Sequence, residues 1–310
     1  RQNMKLATVR YEDNIYAGVV KDGSFYAFQG IDRSLPNEMI PFIEGYDAYK
    51  PIIETNLANT APTCAVSEAA FLSPIPRPRT FRDFMSFEEH VINSGKAANY
   101  CEEVMKNMLA IWRRIPAFYF SNTNVFFGPD EPIRMHPTSQ RFDMEFEIAV
   151  VIGKEGFNVS KEDASDYIFG MTILNDWSAR DIQMEEMQMQ LGPAKGKDYA
   201  NSMGPVIVTM DELTSYALPD DPERYDMTTK LYRNGELIRE NNTKSIFHTY
   251  CDLIAYSSRE TGIYPGDVLG SGTIGGGAML EYMGKQPFIH AGDKIEMEVE
   301  GIGTLKMSVI

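Results

Sequence analysis

The chain has 310 residues, with 29 Lys and Arg against 44 Asp and Glu, giving a formal net charge of −15. That field repels a phosphate backbone and no Lys/Arg cluster in the sequence suggests a basic face, which argues against nucleic acid as the main partner. With 43% hydrophobic and 24% charged residues the composition is that of a folded globular protein, and no apolar run reaches the roughly 18 to 20 residues that span a bilayer.

The first residues lack the basic, apolar and small-residue regions of a secretory signal, which leads to the expectation of a soluble, cytoplasmic protein with no membrane partner. Arg1, Gln2 and Asn3 precede Met4 and read as residues added for expression. Cys64, Cys101 and Cys251 are widely spaced without a C-x-x-C pair, so they read as buried free thiols and not as a zinc site or disulfide framework.

Along the chain, residues 6–28 read as short strands joined at Asp22-Gly23, a pair that accepts the positive φ of a tight hairpin. One or two helices are expected within 35–60. The segment 73–79 contains Pro74, Pro76 and Pro78, which lack a backbone N–H and constrain their predecessors, so it reads as a linker. A small β-rich N-terminal domain over 4–75 and a larger domain over 76–310 follow from that boundary.

Ser86 and Glu89 have capping-box spacing, which places His90 in the first turns of a short helix ending near Asn93-Ser94-Gly95. A longer helix is expected over 97–114. Phe142, Met144, Phe146 and Ile148 then alternate with acidic residues before Ala149-Val150-Val151-Ile152, the pattern of a strand entering a core. Further strands are expected at 168–174, 204–209, 228–233 and 236–239 around Asn234-Gly235, 267–271 and 294–310, with a helix at 246–259. Many strands and few helices give an α+β, mainly β fold.

Glu145 and Glu147, two apart on a strand, project from one face. A solvated face is the ordinary reading of such a pair. Here the strand runs directly into an apolar segment, and adjacent buried carboxylates need a cation to be tolerable. Asp176 stands at the end of another apolar strand, where a helix N-cap is the plain alternative.

At these residues the sequence resembles the fumarylacetoacetate hydrolase family. The segment Asn175-Asp176-Trp177-Ser178-Ala179-Arg180-Asp181-Ile182-Gln183 carries the likeness most strongly. Residues 143–154, Leu191-Gly192-Pro193-Ala194-Lys195-Gly196-Lys197, Asn234-Gly235-Glu236, Tyr264-Pro265-Gly266-Asp267-Val268 and Gly270-Ser271-Gly272-Thr273 follow the family's order. The likeness covers roughly 81–310. It implies a mixed β-roll catalytic domain with a small N-terminal domain, usually as a homodimer.

Residue by residue, the resemblance implies that Asp83, Glu145, Glu147 and Asp176 bind one divalent cation. Four carboxylates form an all-oxygen set that suits Mg²⁺ or Mn²⁺, with Ca²⁺ admissible, and disfavours zinc. The resemblance further implies His90 as a catalytic histidine oriented by Glu281, and Lys197 and Arg180 as catalytic cations that stabilise negative charge. Gln183, Thr273 and Tyr119 are implied as substrate contacts.

The activity implied is hydrolysis of a C–C bond in a small anionic β-diketone or acylpyruvate-type acid. Met85 stands where the eponymous enzyme has a substrate-contacting tyrosine, and no arginine follows His90 at that enzyme's distance, so fumarylacetoacetate itself does not follow from the likeness. Decarboxylation of a 2-oxo acid or hydration of a 2-hydroxydienoate uses the same residues, and a non-catalytic metal-binding protein is the alternative from another class.

Overall fold

A computed structural model describes residues 4–310; the reading of Arg1–Asn3 as added residues lies outside them. The strands that build the frame are β1 (Lys5–Tyr11), β2 (Asn14–Lys21), β3 (Ser24–Ala27), β4 (Phe81–Phe84), β5 (Phe118–Phe120), β6 (Phe146–Ile152), β7 (Ile168–Asp176), β8 (Asn201–Thr209), β9 (Thr228–Arg233), β10 (Glu236–Asn242), β11 (Val268–Gly270), β12 (Lys294–Val299) and β13 (Gly303–Ser308). The principal helices are α1 (Met39–Glu44), α2 (Tyr46–Asn56), α3 (Glu88–Ala97), α4 (Glu102–Trp112), α5 (Arg180–Met187) and α6 (Tyr250–Ser257).

Both hairpin signals act as their chemistry requires: Asp22 and Gly23 have φ of 50° and 75°, and Asn234 and Gly235 have 53° and 83°. A twelve-stranded mixed sheet dominates, its main path running β3-β2-β1-β8-β7-β6-β11-β4-β5. Residues at the N-terminus extend this same sheet, because β1 pairs antiparallel with β8 at Leu6 and Ile207. The proline segment 73–79 contains no helix, and the Thr8 hydroxyl donates to the Pro74 carbonyl at 2.7 Å.

Buried on both sides, the central strands follow the solid apolar runs in the sequence. One face carries Phe81, Ala149, Val151, Leu174, Met203 and Val268 against Phe42, Ile43 and Ile53 of α1 and α2. The other carries Ile148, Val150, Met171, Ile173 and Leu269 against α6 and a second sheet of order β10-β9-β12-β13. The expected strand at 294–310 is thus two strands, reversing where Gly301 takes a φ of +81°.

Three local expectations need correction. Helix α3 starts at Glu88 with no side-chain cap: the Ser86 hydroxyl is buried without a partner, and Glu89 instead accepts from Arg239 at 2.7 Å and Asn241 at 3.3 Å. The tertiary partners draw Glu89 away from the capping geometry. Gly95 does not end α3, because a Cβ there would meet the Met105 sulfur at 2.1 Å; the glycine lets α4 lie close, and the break falls at Asn99, with φ 56°. Cys64 and Cys251 are buried, but Cys101 is exposed, since it sits on the turn that this break creates.

Candidate metal centre and active site

The register of the large sheet sets the site. Residues directly opposite on paired strands share a face. Asp83 on β4 lies beside Gly270 of β11 and opposite Tyr119 of β5. Glu147 lies opposite Leu174, itself two residues before Asp176, and Asp176 lies opposite Asn201. Asp83, Tyr119, Glu147, Asp176 and Asn201 therefore emerge on one face, at the edge of the core that holds Leu174 and Met203. Space for them comes from Gly270, where a Cβ would meet Asp83 Oδ1 at 2.6 Å and Glu147 Oε2 at 2.8 Å.

Asp83, Glu145, Glu147 and Asp176 are all buried, and one oxygen from each lies within 4.8 Å of the others. Two cations already reach the group. Lys197 Nζ lies 2.7 Å from Glu145 Oε2, 2.9 Å from Asp176 Oδ2 and 2.7 Å from Ser178 Oγ. Arg180 donates from Nη1 to Glu145 Oε1 at 2.8 Å and from Nε to Asp143 Oδ2 at 2.9 Å. Burial alone would raise Glu145, yet Lys197 and Arg180 hold its carboxyl well below the usual range.

Among the described residues no cation pairs directly with Asp83 or Glu147, and the more distant Lys197 only partly offsets the burial of Asp83. Burial and the neighbouring Asp176 push Asp83 well above the ordinary carboxylate range, and burial and Asp83 do the same to Glu147. Asp83 Oδ1, Glu147 Oε1 and Asp176 Oδ1 are buried with no hydrogen-bond partner. Orphaned oxygens converging from three carboxylates are what a hard divalent cation satisfies, so the donor set fits such an ion. The remaining lone pairs are held: Gly272 N–H donates to Glu147 Oε2 at 3.0 Å, and the Tyr119 hydroxyl donates to Asp83 Oδ2 at 3.0 Å and also to Asp176.

His90, on α3, is buried with its Nδ1 hydrogen-bonded to Glu281 Oε1. Glu281 is fixed in turn by the Gly276 N–H. A carboxylate on Nδ1 defines that nitrogen as the protonated one and leaves Nε2 as the base, with only Ser94 Oγ near it at 3.3 Å. A cavity of about 500 Å³ brings His90, Glu145, Arg180 and Gln183 to one space. Its outer wall is apolar, formed by Val91, Tyr100, Met108, Met184 and Met187. A larger cavity of about 750 Å³, around Lys50, Lys154 and Asp211, contains none of the clustered carboxylates.

The residues singled out from sequence thus fall into three groups. Asp83, Glu145, Glu147, Asp176 and Lys197 converge at the cluster, while His90, Arg180 and Gln183 line the cavity beside it and Glu281 holds His90 through Nδ1. Tyr119 sets its hydroxyl on two cluster carboxylates and does not line the cavity. Thr273 is buried in the loop after β11 with an unpartnered hydroxyl, and it does not line the cavity either.

Sequence reasoning missed Asp143. Its carboxylate accepts from Arg180 and from the N–H groups of Met279 and Leu280, at 2.8 and 3.0 Å, so one side chain fixes both the guanidinium and the turn that carries Glu281. Asp181, in the most characteristic segment, is a scaffold group: it accepts from Ser139 Oγ at 2.5 Å and Gln140 N at 2.8 Å. Trp177 anchors that segment, donating to Ser202 Oγ at 2.8 Å and stacking on Phe142.

Residues 79–310 match the family described as fumarylacetoacetate (FAA) hydrolase C-terminal. The chain is 31% identical over 304 residues to the mitochondrial oxaloacetate tautomerase Fahd2a of Rattus norvegicus, covering 97% of this chain and 87% of the relative. It is 30% identical over 251 residues to the oxaloacetate tautomerase YisK of Bacillus subtilis, covering 79% and 74%. Among solved structures, maleylpyruvate hydrolase from Sphingobium sp. SYK-6, in complex with manganese(II) and pyruvate, superimposes with a TM-score of 0.75 at 21% identity over 99% of both chains. Fumarylacetoacetate hydrolase from Exiguobacterium antarcticum does so with a TM-score of 0.71 at 23% identity over 99% of both. The fold is therefore the α+β one implied by the sequence, and this chain belongs to the fumarylacetoacetate hydrolase family.

Proposed function

We propose that the protein is a divalent-metal enzyme that acts on a 2-oxo acid through its enol form, and that the reaction is keto–enol tautomerisation of an oxaloacetate-type acid. The observation that carries this reading is the buried His90–Glu281 pair, with His90 and the cluster's Glu145 lining one cavity. The tautomerases similar to this chain over most of its length support the choice of reaction.

Bound at Asp83, Glu145, Glu147 and Asp176, a Mg²⁺ or Mn²⁺ ion would supply Lewis-acid stabilisation of negative charge on the oxygens of the 2-oxo acid. His90 Nε2 takes the proton from the carbon next to the carbonyl, the imidazolium gives it up to the enolate oxygen to complete the enol, and the reverse sequence restores the keto form. Glu281 holds the imidazole in the tautomer that leaves Nε2 free and steadies the imidazolium that forms. Arg180 and Lys197 keep Glu145 ionised and oriented, and their charges favour an anionic ligand despite the acidic protein around it.

C–C hydrolysis of an acylpyruvate-type β-diketone is a second reading, favoured by one specific observation. A histidine oriented by a carboxylate is equally suited to taking a proton from water, and the Met184, Met187 and Met108 wall would accept an apolar acyl group. The test follows enol absorbance of oxaloacetate and of an acylpyruvate panel with Mg²⁺ and Mn²⁺, together with pyruvate release. Enol–keto exchange of oxaloacetate without pyruvate release supports the first reading, and cleavage of an acylpyruvate supports the second. Acceleration of neither with either metal sinks both.

A further inference from the structure

A second cavity of about 530 Å³ shares no residue with the catalytic one and has a different character. Arg113, Arg114, Arg224 and Arg259 line it, and Asp252 is its single acidic lining residue. In a chain with a formal charge of −15 this local excess runs against the general field. Asp252 is committed elsewhere: one of its oxygens lies 2.8 Å from Lys161 Nζ, and the other accepts from Thr249 N at 2.8 Å.

The four guanidinium groups are held differently. Arg224 is fixed, donating from Nε to the Ile246 carbonyl at 2.9 Å and from Nη2 to the Phe247 carbonyl at 3.2 Å, with Asp221 on Nη1. Arg113 is shared with Glu88, to which its Nε donates at 3.0 Å. Among the described residues Arg114 and Arg259 have no carboxylate partner, although Arg259 lies over the Tyr256 ring at 5.2 Å. A concave site with one immobilised and two unpaired arginines presents planar, bidentate donors matched to phosphate or carboxylate oxygens.

We propose that this cavity binds a small polyanion carrying phosphate or carboxylate groups. The site is built on the end of α4, whose other turns reach the catalytic cavity through Met108. Its ligand would also compete for Arg113 with Glu88, which lies in the first turn of α3 two residues before His90. Occupancy therefore acts on the helix that carries the proposed base, without touching the cation ligands.

Isothermal titration of the full chain in Mg²⁺ with inorganic phosphate, and separately with tricarballylate, tests the site at an ionic strength fixed by NaCl. At least one probe is expected to bind with one-to-one stoichiometry, and the exposed double substitution Arg114→Ala/Arg259→Ala should weaken it tenfold or more. The control Arg33→Ala/Lys294→Ala removes the same charge elsewhere and should leave binding within twofold of the unsubstituted chain. Binding of phosphate alone assigns a phosphorylated ligand, and binding of tricarballylate alone a polycarboxylate. The proposal is overturned if neither probe binds, if the arginine variant binds as tightly as the unsubstituted chain, or if the control loses as much.

Discussion

Replacing Glu147 with Gln separates the cost of the carboxylate cluster from its use. In the metal-free protein this side chain is fully buried, has one oxygen without a partner, and is driven well above the usual carboxylate range by burial and by Asp83. Glutamine has nearly the same shape and no charge, so metal-free Glu147→Gln should be more stable than the unsubstituted protein. The cation reverses the order. A ligand that binds only the folded state at a hundred times its Kd stabilises by about 2.7 kcal/mol. For a chain of 310 residues, an unfolding entropy of about 2.1 cal/mol/K per residue converts that into a rise of about 4 °C in Tm. The variant, missing one of four ligands, should gain less than about 1 °C at the same metal concentration. Thermal unfolding after EDTA treatment, and again with Mg²⁺ or Mn²⁺ restored, reads both effects. A variant that keeps the full metal-induced rise would falsify the assignment of Glu147 as a ligand, and no rise in the unsubstituted protein would remove the metal centre altogether.

The His90→Ala change should lower turnover by roughly 10² to 10⁴-fold while leaving the metal-induced rise in Tm intact, because His90 is not among the clustered ligands. Lys197→Met leaves Asp176 without its ion-pair partner and Glu145 with Arg180 alone, and should cost the metal-free protein about 3 to 5 kcal/mol in chemical denaturation. A thiol reagent should titrate one cysteine in the native protein, Cys101, and three after denaturation, since burial shields Cys64 and Cys251 and, with Glu223, pushes the Cys251 thiol up to about 12. Burial also holds His248 below its ordinary value of 6.5. It is neutral in the native state, so its contribution is complete above about pH 6.5 and fades by at most about 1.4 kcal/mol per unit as pH falls toward the native value. Stability curves of the His248→Gln variant should be flatter in that window; an unchanged slope would show that other groups set it.

What the sequence made legible is what departs from its local surroundings. Glu145, Glu147 and Asp176 stand out because a carboxylate flanking an apolar run has no ordinary reason to be there. Hairpin turns at Asp22 and Asn234 were readable because their φ is a property of two or three residues. The role of Asp143 was not, because its partners lie 37 and 136 residues away and nothing in its own segment distinguishes a clamp from another strand acid. The place of Tyr119 on the cluster was hidden for a similar reason: only the pairing of β5 with β4 sets its hydroxyl beside Asp83. Ser86 and Glu89 had the right spacing for a cap, and Arg239, 150 residues on, outcompeted it.

The alignment of Asp83, Glu147 and Asp176 across β4, β6 and β7 has a kinetic meaning. Each of the three comes from a different strand: Glu147 and Asp176 draw together when β6 pairs with β7, but Asp83 joins them only once β11 and β4 have added to the sheet. A sheet assembled without β4 lacks Asp83 and offers the ion an incomplete set of ligands. Metal should therefore leave the folding rate almost untouched and slow unfolding instead, acting as a latch that closes after the strands have found their register.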